Sequence, residues 1–404
     1  MKSTSAPRQV SRGQARSRQI LDACVRLFEQ AGYQNVSIDD IGAAVGLTGP
    51  AVYRHYKGKY DILVQALVGQ VTIVEELVAL AVAEPPADQL DRLIRELAQL
   101  TVERDEAMLW RRENRHLDQE DRTTFRRAFS RVLAGMRQVV LNRRPGLGEQ
   151  GAGFIAVALL SLFSSTRDIR GKLTDEQAIE VLTAIAHSIV DLDYDEQDEQ
   201  DETTPPSPPA SVRRAPAGRR ERIIDAAADL FDQHGFYSVR IDDIARQANS
   251  SVATLYQHFE GKGQILQAIL FRGTEGLLYL TAEAIQFATS PDEVLEQLIG
   301  TYVRQSLGLH GRMMRIQATD LIYLPQAQRD QFLAGEREYI AEWTKVISDQ
   351  SPARDGATVR ALAHAAIDVL TDLSQTRMLR GQPRLQSNLV RLARAIVSPT
   401  DLAD

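Results

Sequence analysis

The sequence predicts an all-α chain made of two related helical units in tandem, and three observations carry that expectation. Segments such as LDACVRLFEQ, DRLIRELAQLTVERDEAMLW, EVLTAIAHSIVDL and VLEQLIGTYVRQSL place apolar residues at i, i+3 and i+4. No run alternates β-branched residues as a half-buried strand would. Ile20–Leu67 aligns without gaps to Ile223–Leu270, 203 positions later, with 19 of 48 positions identical. Between Asp191 and Arg220 the composition changes abruptly: DLDYDEQDEQDE holds eight acids and no base, and TTPPSPPA follows with four prolines. Such a stretch cannot bury a core, so it reads as a self-repelling, extended linker between the units. Mimicry of DNA by the acidic run is the lesser alternative.

The first unit opens with a helix over about Arg16–Ala31, whose apolar face holds Ile20, Cys24, Leu27 and Phe28, and which stops at Gly32. Ser37 is placed to cap a second helix, SIDDIGAAV, with Asp39 and Asp40 in the first turn, where the macrodipole favours acids. Gly46 suits a tight turn that needs positive φ. Thr48 is placed to cap a third helix with Pro50 in its first turn, and a fourth begins near Lys59. Two short helices joined across a glycine turn, the second beginning with small residues, make helix-turn-helix geometry. Small residues let the end of a recognition helix approach base edges, while lysines and helix N-termini hold phosphates. The second unit repeats the plan with two departures: Arg240 stands where Ser37 stands in the first, and Asn249 replaces the turn glycine. Arginine caps poorly, whereas asparagine visits the left-handed region readily.

Charge agrees with this reading. The chain carries a formal net charge of −7, yet Met1–Asp61 sums to +4 and Arg213–Leu266 to +1, with Arg213, Arg214, Arg219 and Arg220 clustered before the second head. Basic arms in that place reach phosphates or the minor groove. At 404 residues the chain exceeds one small core. Cys24, the single cysteine, excludes an intrachain disulfide and a cysteine-based zinc site, and reads as core packing. No apolar run of membrane-span length is expected, the longest being Phe154–Phe163, and the basic N-terminus lacks the apolar segment of a signal peptide. A cytoplasmic protein without a membrane partner is the expectation. No hydrolase, Walker, zincin or dinucleotide motif occurs, so neither an enzyme nor a cofactor is expected.

Both units resemble the DNA-binding head of the TetR/AcrR family of transcriptional regulators. The resemblance rests on the helix ending in F and G, the IDDI block, and VYRHY or LYQHF followed by Gly-Lys and Ile-Leu. It implies two tandem TetR-like units: residues 1–67 as first head and 68–192 as first helical ligand-binding and dimerisation domain. An acidic, Pro-rich linker at 193–218 leads to a second head at 219–270 and a second such domain at 271–404. It also implies DNA contacts. In the first head these are Ser37, Thr48, Gly49, Pro50, Ala51, Tyr53, Arg54, His55 and Lys59. In the second they are Arg240, Ser251, Val252, Ala253, Thr254, Tyr256, Gln257, His258 and Lys262.

The partners implied are a double-stranded DNA operator and a small-molecule effector. The TGPAVYRHY segment resembles the recognition segment of family members that govern lipid or acyl-CoA metabolism, and that resemblance implies a hydrophobic or acyl-CoA-like molecule. Family members pair as homodimers, so two fused units predict an intramolecular pseudo-dimer, packed through Gly151–Leu192 and Asp355–Val397, on unlike half-sites. The alternative is a second half that only senses or dimerises, in a chain that homodimerises. Pocket candidates are Trp110 and Arg111 in the first half, and Tyr302, Met313, Met314 and Tyr323 in the second. Surface ion pairing and plain core packing are the preferred readings of these residues. His55 is the one histidine of its head and His258 shares the second only with His234, which favours phosphate contact or packing over metal.

Overall fold

The computed structural model describes residues 12–103, 109–164, 169–195, 216–382 and 384–402; the expectations for Arg213, Arg214 and most of the linker lie outside them. Every regular element among the described residues is helical. The first half contributes α1 (Arg12–Ala31), α2 (Ile38–Ala44), α3 (Gly49–Val52), α4 (Lys59–Val82), α5 (Gln89–Glu103), α6 (Leu109–Glu113), α7 (Gln119–Arg143), α8 (Glu149–Ser164) and α9 (Asp175–Val190). The second contributes α10 (Arg219–His234), α11 (Ile241–Gln247), α12 (Val252–His258), α13 (Lys262–Ile285), α14 (Pro291–Leu307), α15 (His310–Asp320), α16 (Gln326–Gln350), α17 (Gly356–Gln375) and α18 (Leu385–Val397). Contacts divide the chain into one body of residues 1–76 with 106–132 and another of 77–105 with 133–404.

In the first body the predicted apolar face of α1 becomes a core. Ile20, Cys24 and Phe28 are fully buried, as are Ile41 of α2, Val52 of α3, and Ile62, Leu63 and Leu67 of α4. Burial pushes the Cys24 thiol up, which keeps it protonated and inert. Helix α4 runs unbroken past Leu67 and Val68, so no helix end marks the expected domain boundary there. It is also, by length and composition alone, apolar enough to cross a membrane, an apolar stretch of span length that the sequence reading did not anticipate. Part of that apolarity is consumed by the head core just named.

The second body holds the second head and the helical bundle of α13 to α18, joined by α5, α8 and α9. Ile223, Phe231, Ile244, Leu255, Phe259, Ile265 and Leu266 form the head core, and it continues into Ile316, Leu324 and Phe332. Helix α8 packs on α17, and α9 packs on α5 and α18. Ser161 Oγ donates to Asp372 at 2.6 Å, and the Thr400 N–H donates to Ser188 Oγ at 3.2 Å. Past α9 the chain stays packed as far as Asp195. Tyr194 is buried against Phe154, the Asp195 N–H donates to Asn388 Oδ1 at 3.1 Å, and Arg384 pairs with the Asp195 carboxylate. The first residues expected to be linker, Asp193 to Asp195, therefore dock on α18.

Candidate nucleic-acid interface

Each head is set by two backbone positions with positive φ. Gly32 and Gly235 end the first helix of their heads at φ 79° and 76°, with ψ near the extended range, a region open in practice to glycine only. Gly46 and Asn249 make the turn between second and third helices at φ 68° and 48°. The Ser37 hydroxyl accepts the Asp40 N–H at 3.1 Å while the Asp40 carboxylate accepts the Ser37 N–H at 2.8 Å, a reciprocal cap. The Ser37 hydroxyl, donating to the Asp40 carboxylate at 2.6 Å, and then the Ser37 N–H hold the Asp40 carboxyl below its usual range. Arg240 makes no side-chain cap; only the return bond survives, from the Arg240 N–H to Asp243 at 3.2 Å.

The two third helices differ in length. Helix α3 has four residues and α12 has seven. Thr48 occupies the cap position, but its hydroxyl makes no cap bond, contrary to expectation; its carbonyl accepts the Ala51 N–H at 2.9 Å instead. Ser251 does cap, accepting the Thr254 N–H at 3.0 Å. Solvent-facing residues are Thr48, Pro50, Tyr53 and Arg54 in the first head and Ser251, Ala253, Tyr256, Gln257 and His258 in the second. Ala51, Val252 and Thr254 are half-buried. Tyr53 and Tyr256 are 57% and 55% exposed, unusual for a large ring in a packed head. Tyr56, the neighbouring aromatic, is instead buried and donates to the Ser17 carbonyl at 2.7 Å, and burial pushes its hydroxyl up to about 12.

Several expected contacts turn inward. Gly49 is buried, and a Cβ there would lie 2.1 Å from Asp39 Oδ1, so it lets α3 close on α2 and presents nothing to a groove. His55 Nδ1 shares a 3.0 Å hydrogen bond with Ser17 Oγ of α1. Lys59 Nζ donates to the carbonyls of Tyr33 and Val36, both at 2.8 Å, and lies over the Tyr33 ring. Lys262 repeats this on the carbonyls of Phe236 and Val239 at 2.6 and 2.9 Å. Burial pushes both ammonium groups down, and the carbonyls they hold satisfy them. Both lysines thus tie the fold together where phosphate contact was expected. His258 stays at the surface and lines, with Arg220, a depression of about 340 Å³.

A junction beneath each head was not read from the sequence. Glu113, at the end of α6, is fully buried and accepts the Tyr33 N–H at 3.3 Å, and Arg112 donates to the Phe28 and Glu29 carbonyls that end α1. Asp320, at the end of α15, is fully buried and accepts the Phe236 N–H at 3.1 Å. Arg312 pairs with Asp225 and Asp229, and Arg315 with Asp232, fastening α15 to α10. The available signal was a second repeat in a different register: Leu117, Gln119, Arg122 and Phe125 recur 207 positions on as Leu324, Gln326, Arg329 and Phe332. Arg122 donates to the Arg115 carbonyl, and Arg329 to its counterpart at Ile322.

This junction also claims some pocket candidates. Met313 and Tyr323 pack against the second head, Tyr323 making an edge contact on Tyr237 at 4.5 Å, and Met314 is buried. Trp110 packs on Phe129 at 5.1 Å, and the side chain of Arg111 lies outside the described residues. Tyr302 alone lies in a polar-lined interior, with its hydroxyl 2.6 Å from Thr371 Oγ1. Among the described residues no cluster of three metal-ligating side chains occurs.

The family model described as "Bacterial regulatory proteins, tetR family" matches twice, at residues 20–66 and 223–269. The HTH-type transcriptional repressor KstR2 of Mycolicibacterium smegmatis is 29% identical over 114 residues, 28% of this chain and 52% of that protein. The HTH-type transcriptional regulator SrpR of Pseudomonas putida is 30% identical over 134 residues, 29% of this chain and 62% of that protein. The chain therefore spans roughly half to three-fifths of the length of these curated relatives. A crystal structure of a TetR-family transcriptional regulator from Bordetella parapertussis has a TM-score of 0.43 at 20% identity, covering 47% of this chain and all of that one. With the head geometry built twice and the family model matched at both copies, residues 20–66 and 223–269 are TetR-type heads, and the chain carries two tandem TetR-like units.

Proposed function

We propose that this chain is a one-component transcriptional regulator, a ligand-responsive repressor acting in the cytoplasm, in which both heads bind one operator as an intramolecular pseudo-dimer. The observation that carries the reading is the packing of α8 and α9 on α17 and α18 within a single chain, tied by Ser161–Asp372 and Asp195–Asn388. It supplies from one polypeptide the pairing that two-chain relatives draw from two. Linkage raises the effective concentration of the second half to about millimolar.

The heads would read unlike half-sites centred a helical turn or a multiple apart, ~34 Å on B-DNA. The residues common to both heads at the surface, Tyr53 and Tyr256, would grip the backbone. Those that differ, Pro50 and Arg54 against Ala253 and Gln257, would read bases. The longer α12 with its formed Ser251 cap supports a working second head, against the reading in which that half only senses or dimerises.

Light scattering on the free protein and on its operator complex tests the pairing, with one chain per operator expected; a stable two-chain assembly with four heads would count against it. Tyr256→Ala is expected to weaken operator affinity tenfold or more, about 1.4 kcal/mol. Unchanged affinity would return the second half to a sensing role.

A further inference from the structure

In the first body one face of α7 is basic and has nothing packed on it. Arg122–Val132 carries four arginines and no acid, whereas the matching stretch of α16, Arg329–Tyr339, carries two arginines and three acids. Arg122 is engaged by the Arg115 and Leu117 carbonyls. Thr123, Arg126, Arg127, Ser130 and Arg131 recur at i, i+3, i+4, i+7 and i+8, so they share one side of the helix, and all five are exposed. They line a shallow depression of about 450 Å³. Arg131 pairs with Glu75 of α4 at 3.1 Å. Among the described residues, Arg126 and Arg127 meet neither a carboxylate nor a hydrogen-bond acceptor.

The opposite face holds this one in place. Phe125 and Val132 are buried, and Phe129 packs on Trp110 of α6 at 5.1 Å. The start of α7 is tied to the head. The Tyr60 hydroxyl donates to Asp121 at 2.7 Å and accepts the Asp118 N–H at 2.9 Å, and Tyr60 follows Lys59, which closes the head turn. Arg126 and Arg127 therefore lie about 7–9 Å along the helix from a residue bonded to the head. The fold does not need their charge: Leu333, Ala334 and Glu338 stand in α16 where Arg126, Arg127 and Arg131 stand in α7. Residues 1–76 with 106–132 hold sixteen bases and twelve acids, in a chain of net charge −7.

We infer that Arg126, Arg127, Ser130 and Arg131 form a second DNA contact, outside the heads, for the phosphate backbone of the duplex flanking one half-site. The inference rests on the operator-binding reading above and extends the grip on one side only. A guanidinium fork matches phosphate oxygens, and the Ser130 hydroxyl adds a donor. Two free arginines beside a head that already holds a duplex meet its next phosphates at high local concentration. Such contacts add affinity and orientation without reading bases.

The probe is the duplex that the full chain selects from random sequence, either trimmed to its two half-sites or extended by about ten base pairs, one helical turn, on one side or the other. Extension on one side alone is expected to tighten binding about tenfold at low salt. Arg126→Ala combined with Arg127→Ala is expected to erase that gain and to lower the salt slope on the extended duplex by about two. Trimmed-duplex affinity and melting temperature should stay unchanged, because both side chains are exposed and unpaired. Arg126→Lys with Arg127→Lys should keep most of the gain, since the charge remains. No gain on extension overturns the inference. So does an equal gain from either side, a gain untouched by the alanines, or an equal loss on trimmed and extended duplexes. Changing Glu196, Asp198, Glu199, Asp201 and Glu202 to amides gives the last arm. If that tightens trimmed-duplex binding in the wild type but not in the alanine variant, the acidic run is the occupant and the inference falls. Failure of the wild type to bind the trimmed duplex would sink the regulator reading itself, and is seen separately.

Discussion

Glu113 and Asp320 make the same hydrogen bond, each within its own half. Each fully buried carboxylate accepts the backbone N–H that follows the positive-φ glycine, from Tyr33 at 3.3 Å and from Phe236 at 3.1 Å. The lysine that opens the next long helix holds the carbonyls of the same turn from the other side. The short segment after the glycine, a single 3-10 turn at Tyr33–Asn35 in the first head, thus has donors and acceptors matched by two charged side chains brought from elsewhere in the chain.

Acid should weaken the first head through Glu113. Burial pushes its carboxyl up, but the His116 bond and the Arg112 charge outweigh burial and hold it below its ordinary value of 4.5. A carboxyl lowered in the folded state contributes stability that is complete above the unfolded value and lost as pH falls through the folded one. Urea unfolding across the acid range should show that loss in the wild type, and Glu113→Gln should flatten it. At neutral pH the substitution should cost about 3 kcal/mol, the lower end for breaking a buried ion pair.

Lys262→Met should separate holding the fold from holding DNA. Losing its bonds to the Phe236 and Val239 carbonyls is expected to cost about 1–3 kcal/mol in thermal unfolding. The slope of operator affinity against salt should stay unchanged, whereas Arg54→Ala, at an exposed position, should reduce that slope by about one. A reduced slope for Lys262→Met would restore the phosphate role first expected of it.

The two turns should answer oppositely to substitution. Gly46→Ala forces a Cβ onto φ 68° and should cost about 1 kcal/mol, while Asn249→Gly, at φ 48°, should be neutral or slightly stabilising. Thermal melts of both variants, with helicity at low temperature as a folding control, decide this.

Much of the fold was legible because helix patterning and turn chemistry are local. The all-α class, the duplicated heads, the Ser37 cap and the left-handed turns at Gly46 and Asn249 all follow from residues adjacent in sequence. What the sequence hid depends on partners far away. The direction taken by Lys59 is decided by the free carbonyls of Tyr33 and Val36, and the burial of Gly49 by the approach of Asp39. The repeat was legible in the heads and at the ends of both halves, but the register between them shifts from 203 to 207 positions, which brings Glu113 opposite Asp320 only after four residues are inserted. Tyr323 reads as pocket lining by type, but once paired with His116 it belongs to the surface that holds the head turn: His116 lies 5.0 Å from Tyr33, and Tyr323 5.8 Å from Phe236.

The bond between Ser161 and Asp372 occurs once. In an assembly of two identical chains about a twofold axis, every contact is made twice, and any substitution is felt on both sides together. Helices α8 and α17 escape that constraint, because the serine and the aspartate sit on different stretches of one polypeptide. A change on one face meets an unaltered neighbour and is selected on its own merits. Under the pairing proposed above, dilution does not separate the two halves. A genome that encodes it inherits both faces as a single, co-inherited unit, free to drift apart in sequence without drifting apart in space.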